Sequence, residues 1–145
     1  TVAWRQNEVK QTIGGKLLEK PYTSRYKGLF TLNYTTNLKK WMFDYTLQFN
    51  GGGRLPTIEN GGSSSVYAGL PDEFPSYTIM NAQITRYFRH WSVYAGGENL
   101  TNFKQDHPVL GADDPFGPGF DATHIWGPVM GIKLYAGIRY TLNFK

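Results

Sequence analysis

The chain contains no cysteine, which excludes disulfides, thiolate metal sites and cysteine nucleophiles and suits a compartment where stray thiols would oxidise. It also lacks any uninterrupted run of about eighteen apolar residues, so membrane-spanning helices are excluded. Membrane-spanning strands are not, because only alternate residues of such a strand meet lipid. Charge of one sign is not gathered either. The 15 Lys and Arg outnumber the 11 Asp and Glu, giving a net charge of +4, but the basic residues are scattered along the chain. The aromatics do not interleave with a basic stripe as stacking platforms would, and no nucleic-acid partner is expected. Gly-x-Ser-x-Gly, P-loop and dinucleotide-binding glycine patterns are all missing, as are EF-hand and His-Glu-x-x-His spacings. No catalytic residues, no metal and no cofactor are expected.

What the chain does have is aromatics, at 16%, with 10 Tyr, together with 17 Gly and 40% hydrophobic residues. That is too aromatic for a disordered chain, while the negative mean hydropathy is too polar for a helical membrane protein. The last segment, 130–145, resolves the conflict. Its even positions read Met130, Ile132, Leu134, Ala136, Ile138, Tyr140, Leu142 and Phe144, and its odd positions Gly131, Lys133, Tyr135, Gly137, Arg139, Thr141, Asn143 and Lys145. One face is continuously apolar and the other polar or small, which only a strand produces. A soluble half-buried strand averages about five or six residues, so the length favours a barrel strand with the even positions towards lipid.

The same alternation recurs upstream. Segment 40–50 sets Trp41, Phe43, Tyr45, Leu47 and Phe49 against Met42, Asp44, Thr46, Gln48 and Asn50, and 28–36 joins it through Asn37-Leu38-Lys39 as a hairpin. Segments 77–88 and 91–100 form a second hairpin around Arg89-His90, and 1–12 contributes an earlier strand. Between these hairpins lie the long links 51–76 and 102–124, rich in Gly, Pro, Ser and Asp, including Gly61-Gly62-Ser63-Ser64-Ser65. Short and long links alternate, as in transmembrane barrels with short periplasmic turns and long outer loops, whereas compact soluble domains seldom carry two loops beyond about fifteen residues. The expected fold is therefore all-β, an antiparallel transmembrane β-barrel with the C-terminus on the periplasmic side. Tyr34, Trp41, Phe88, Trp91, Tyr140 and Phe144 would form one aromatic girdle, with Phe49, Tyr77 and Trp126 towards the other.

Several stretches carry a family resemblance. Lys39-Lys40-Trp41-Met42-Phe43-Asp44 with Gln48-Phe49-Asn50-Gly51, then Gly96-Gly97-Glu98-Asn99-Leu100-Thr101-Asn102, then Trp126-Gly127-Pro128 leading into 135–144, resemble the closing strands of TonB-dependent outer-membrane receptors. The resemblance covers most of the chain. It implies that 1–145 is a partial barrel domain, the C-terminal five or six strands of a barrel of about 22 strands. It further implies TonB-coupled uptake of a scarce nutrient such as a siderophore, cobalamin, haem or a glycan, with outer-membrane lipid as solvent. The plug domain and the segment contacting the TonB complex would lie upstream. Thr1-Val2-Ala3-Trp4 already reads as mid-strand, in keeping with a piece of a longer protein. Tyr135, Gly137, Tyr140, Leu142 and Phe144 resemble the signal read by the barrel-assembly machinery, from which Lys145 after Phe144 departs.

On the polar parity, Asp44, Gln48, Asn81, Gln83, Glu98, Lys133 and Arg139 are expected to line the lumen, where they would meet a plug, a small ligand, or each other and water. Asp106, His107, Asp113, Asp114, Asp121 and His124 share a link and invite a metal reading, but loop carboxylates are most often simply solvated. Adjacent Asp72 and Glu73 would need a defined gap to work on a sugar. Two rival readings remain: a passive porin-like or structural barrel, and a soluble carbohydrate-binding β-sandwich, whose apolar strand faces would be buried in a core.

Overall fold

The computed structural model describes residues 1–56 and 70–142. It is an all-β chain built on one antiparallel six-stranded sheet. In the order in which they pair, its strands are β1 (Val2–Gln6), β4 (Tyr26–Thr35), β5 (Trp41–Asn50), β8 (Tyr77–Tyr87), β9 (Trp91–Glu98) and β10 (Lys133–Tyr140). The sheet is open, with β1 and β10 as its edges. Two small ladders stand apart from it, β2 (Lys10–Ile13) with β3 (Lys16–Glu19), and β6 (Gly53–Arg54) with β7 (Glu73–Phe74).

Register turns the alternation of single strands into two continuous faces, because residues directly opposite in an antiparallel pair share a side. Leu32, Tyr45, Ala82, Gly97 and Leu134 form one such row, running from β4 to β10 on the apolar face. On the other face Asn33, Asp44, Gln83, Gly96 and Tyr135 form the neighbouring row. The apolar face is not covered: Leu32 is 52% exposed, Ile138 73% and Leu134 75%. The substantial packing among the described strands is between neighbours bonded side by side, with no second layer. Leu55, Phe74 and Leu110, the buried apolar side chains among the described residues, belong to the links and their small ladder rather than to the large sheet.

Both short turns lie at one rim. In the first, Thr36 N–H donates to Trp41 O at 2.9 Å, and Leu38 and Lys39 take positive φ of 64° and 49°. The second is a two-residue turn at Arg89-His90, closed by Phe88 N–H donating to Trp91 O at 2.8 Å. Three long links, 7–25, 51–76 and 99–132, leave and rejoin the sheet at the opposite rim, where Gln6 faces Tyr26, Asn50 faces Tyr77 and Glu98 faces Lys133.

Three expectations are corrected. Segment 1–12 is not one strand: β1 stops at Gln6, and Lys10–Ile13 belongs to a hairpin turning on Gly14-Gly15, whose φ of 55° and 79° are those of a type I′ turn. The link 51–76 is not a plain loop, since its base is tied by the β6–β7 ladder. And β10 begins at Lys133 rather than Met130, because β9 ends at Glu98 and leaves 130–132 no partner strand. There the backbone is taken up by side chains: Asn99 Nδ2 donates to Met130 O at 3.0 Å, and Asn102 Oδ1 accepts from Ile132 N–H at 3.1 Å. Phe144, Lys145 and the stretch Gly61-Gly62-Ser63-Ser64-Ser65 lie outside the described residues.

Glycines within β9 and β10 are covered rather than loose. Tyr135 lies over Gly96 and Tyr94 over Gly137, each directly across the strand pair, and the two rings lie 6.4 Å apart. A Cβ on Gly96 would come within 2.8 Å of Ala82 O and 2.7 Å of Tyr135 Cζ. Gly96→Val should therefore push Tyr135 off its strand and destabilise by about 1 to 3 kcal/mol. The check is a denaturant melt beside Gly127→Ala, where an added Cβ would meet nothing nearer than 3.5 Å. An unchanged midpoint for Gly96→Val would refute the tight approach.

Candidate functional site

All seven side chains singled out by parity lie on the polar face: Asp44, Gln48, Asn81, Gln83, Glu98, Lys133 and Arg139. They do not converge on one point. Asn33 Nδ2 donates to Asp44 Oδ1 across β4 and β5. Tyr135 O–H donates to Gln83 Oε1 at 3.0 Å, and Gln83 Nε2 donates to Thr85 Oγ1 at 3.2 Å. Lys133 Nζ stands 3.8 Å from Glu98 directly opposite it. Asn81 Oδ1 accepts from Asn99 N–H at 2.9 Å, fixing the first residue of the third link. Arg139 lies apart at the short-turn rim, across from Ser92.

Three open cavities follow this face and share members. One of about 390 Å³ is lined by Gln48, Asn81, Glu98, Lys133 and Pro128 to Gly131 of the strap 124–131. A second, about 340 Å³, uses Gln48 again with Arg5, Lys27 and Asn50. A third, about 250 Å³, uses Asn81 again with Asp44, Gln83 and Tyr135. Together they make one groove with amide, carboxylate and ammonium groups along it and an aliphatic wall at Ile79 and Met130. Such a surface offers hydrogen bonds and weak charge to a hydrated polar solute.

At the loop rim, described residues of the long links pack into a compact cap. Phe74 stacks on Trp126 at 5.2 Å and Tyr77 on Phe103 at 4.6 Å, while Tyr77 O–H donates to Trp126 O at 3.2 Å. Gln105, 5% exposed, holds the strap by three bonds: Nε2 donates to His124 O at 2.5 Å, and Oε1 accepts from Trp126 N–H at 2.8 Å and Gly127 N–H at 2.9 Å. His124 is buried against Tyr22, whose hydroxyl is 3.2 Å from its Nδ1, so one link packs on another. Burial, and secondarily the charge of Asp121, pushes the Tyr22 phenol up. Arg25 clips the β2–β3 hairpin to the β6–β7 ladder through Glu19 and Glu73, and its guanidinium holds the Glu73 carboxyl below the usual carboxylate range.

That clip takes Glu73 away from any shared role with Asp72. Asp106, His107, Asp113 and Asp114 are exposed, and Asp121 accepts from Thr123. Among the described residues no three metal-ligating side chains come together. Of the stretch resembling an assembly signal, Tyr135 and Gly137 lie on the polar face, Tyr140 faces Trp91 on the apolar face, and Leu142 is exposed beyond the strand. Sequence reasoning missed Gln105 altogether, since an isolated Gln in a Gly- and Pro-rich link carries no signal. No protein-family model matches the chain, and neither the curated proteins nor the solved structures give a match.

Proposed function

We propose that the chain forms part of the wall of a transmembrane β-barrel in a bacterial outer membrane, within a receptor that takes up a scarce nutrient. One observation carries this reading: a six-stranded sheet whose apolar face is exposed from edge to edge, opposite a face that is polar and grooved. In water such a face is an aggregation surface; against lipid it is the expected exterior. The ten residues of β5 rise roughly 33 Å at about 3.3 Å each. Tilted by about 40°, they cross roughly 25 Å, the height of a barrel's apolar band. Tyr34, Trp41, Phe88, Trp91 and Tyr140 gather at the short-turn rim, where a headgroup girdle would lie.

The open edges support membership in a larger cylinder, because unpaired backbone groups cost several kcal/mol each in hydrocarbon and the smallest such barrels use about eight strands. The narrower reading, TonB-coupled import with a plug supplied by other sequence, rests on the likeness of 39–51, 96–102 and 126–144 to receptor closing strands. The polar groove is then the surface presented to plug and solute.

The test uses the absence of cysteine from these 145 residues, with any cysteine elsewhere in the intact protein replaced by serine. Phe116→Cys in the third link and Leu38→Cys in a short turn are expressed separately in the intact protein and treated with a membrane-impermeant thiol reagent on whole cells. Outer-membrane recovery with labelling at 116 alone is expected. Recovery in the soluble fraction overturns the barrel, and labelling at 38 alone inverts the topology.

A further inference from the structure

We infer that Arg86, with Trp41 and Phe88, forms a site for the phosphate of a membrane phospholipid at the short-turn rim. This rests on the barrel reading. Arg86 is the arginine whose register sets it on the apolar face, directly across from Trp41 on one side and Val93 on the other. An arginine there would normally be expected to find a carboxylate. None is bonded to it among the described residues; instead its guanidinium lies 4.7 Å from the Trp41 ring centroid and 5.2 Å from that of Phe88. Two ring faces hold a cation by their quadrupoles without neutralising it. The planar fork keeps its N–H donors for an acceptor approaching from outside the sheet.

The surroundings identify the acceptor. Phe88 stacks on Trp91 at 3.9 Å, and Trp91 faces Tyr140, so an aromatic row crosses β8, β9 and β10 at this height. Such rows mark the level of lipid headgroups. Lys39, Lys40 and Arg89 occupy the adjoining turns, whereas among the described residues every acidic side chain except Asp44 lies in the long links or where they join the sheet. Asp44 faces the other side and is engaged by Asn33. The rim is thus cationic, acid-poor and edged by apolar surface. An anionic headgroup whose acyl chains continue down that surface fits all three; a free phosphate would use only the charge.

The intact protein in nonionic detergent is titrated with phosphatidylglycerol, and separately with inorganic phosphate, with bound lipid read by native mass spectrometry. Arg86→Gln should weaken lipid binding about fivefold. Trp41→Leu, which keeps apolar surface but removes the ring, should weaken it as well, and Lys16→Gln at the opposite rim should leave it unchanged. Equal affinity in Arg86→Gln, or equal loss in Lys16→Gln, overturns the site; so does displacement of the lipid by inorganic phosphate at matched concentration. A protein that stays dispersed without detergent would bring down the barrel reading itself, which is a separate outcome from a detergent-requiring protein with no headgroup preference.

Discussion

Leu32→Arg should destabilise the protein in lipid by about 2 to 4 kcal/mol, while Thr31→Arg, one residue away, should cost about 1 kcal/mol or less. The two positions share a depth and differ only in face. Leu32 stands across from Tyr45 between Phe30 and Tyr34 on the apolar side, and Thr31 stands across from Thr46 on the polar side. If the apolar face meets hydrocarbon, the guanidinium at 32 must reach past two aromatic neighbours to find water, whereas at 31 it enters the groove. In a soluble sheet the order would differ. Leu32 is already 52% exposed, so an arginine there would be neutral or would improve solubility. Reversible unfolding by urea in phospholipid vesicles measures both variants. Equal midpoints would remove the facing assignment, and a more stable Leu32→Arg would favour a face that lives in water.

The parity that underlies this experiment was legible because two-residue alternation needs no tertiary information. Trp41 to Phe49 on β5, and Leu134 to Tyr140 on β10, declare their face by composition alone, and once the hairpin turns were placed the seven polar-face residues followed. Strand ends were less legible, since they depend on where a partner stops. Met130 and Ile132 continue the alternation perfectly yet leave the ladder, because Asn99 and Asn102 turn the preceding strand away and bond their backbone instead. The Gly14-Gly15 hairpin was readable from its turn but was obscured by the polar run Lys10-Gln11-Thr12 before it.

Charge shows the same division between local and long-range information. Along the chain the ionisable residues are scattered, and from scatter no patch is expected. Folding sorts them by rim. Glu19, Glu73 and Glu98 finish at the loop end with their basic partners Arg25 and Lys133, while Lys39, Lys40, Arg86 and Arg89 finish at the turn end without such partners among the described residues. No window of the sequence contains this asymmetry, because antiparallel pairing brings every second link to the same side.

Gln105→Ala should loosen the cap at the loop rim by about 3 kcal/mol and leave the six-stranded sheet in place. The side chain is 5% exposed and satisfies three backbone groups at once, the carbonyl of His124 and the N–H groups of Trp126 and Gly127. Truncation strands all three in a site walled by Phe74, Phe103 and Trp126, and each stranded buried group costs about 1 to 3 kcal/mol unless water enters. Water entry requires the strap to lift, and the strap supplies the wall of the largest groove cavity at Pro128 to Gly131. The sheet does not depend on that wall, since its ladders close without residues 99–132. Opening should therefore be local rather than global. Gln105→Glu separates the contributions: its carboxylate still accepts from Trp126 and Gly127 but faces the His124 carbonyl without a proton to give, so it should fall between the wild type and the alanine variant. Amide hydrogen exchange at Trp126 and Gly127, read beside β5 and β8, measures the effect. Faster exchange in the strap with protected strands is expected. Unchanged exchange at Trp126 would mean that the aromatic stack alone holds the cap, and loss of protection throughout the sheet would mean that cap and sheet fold as one unit.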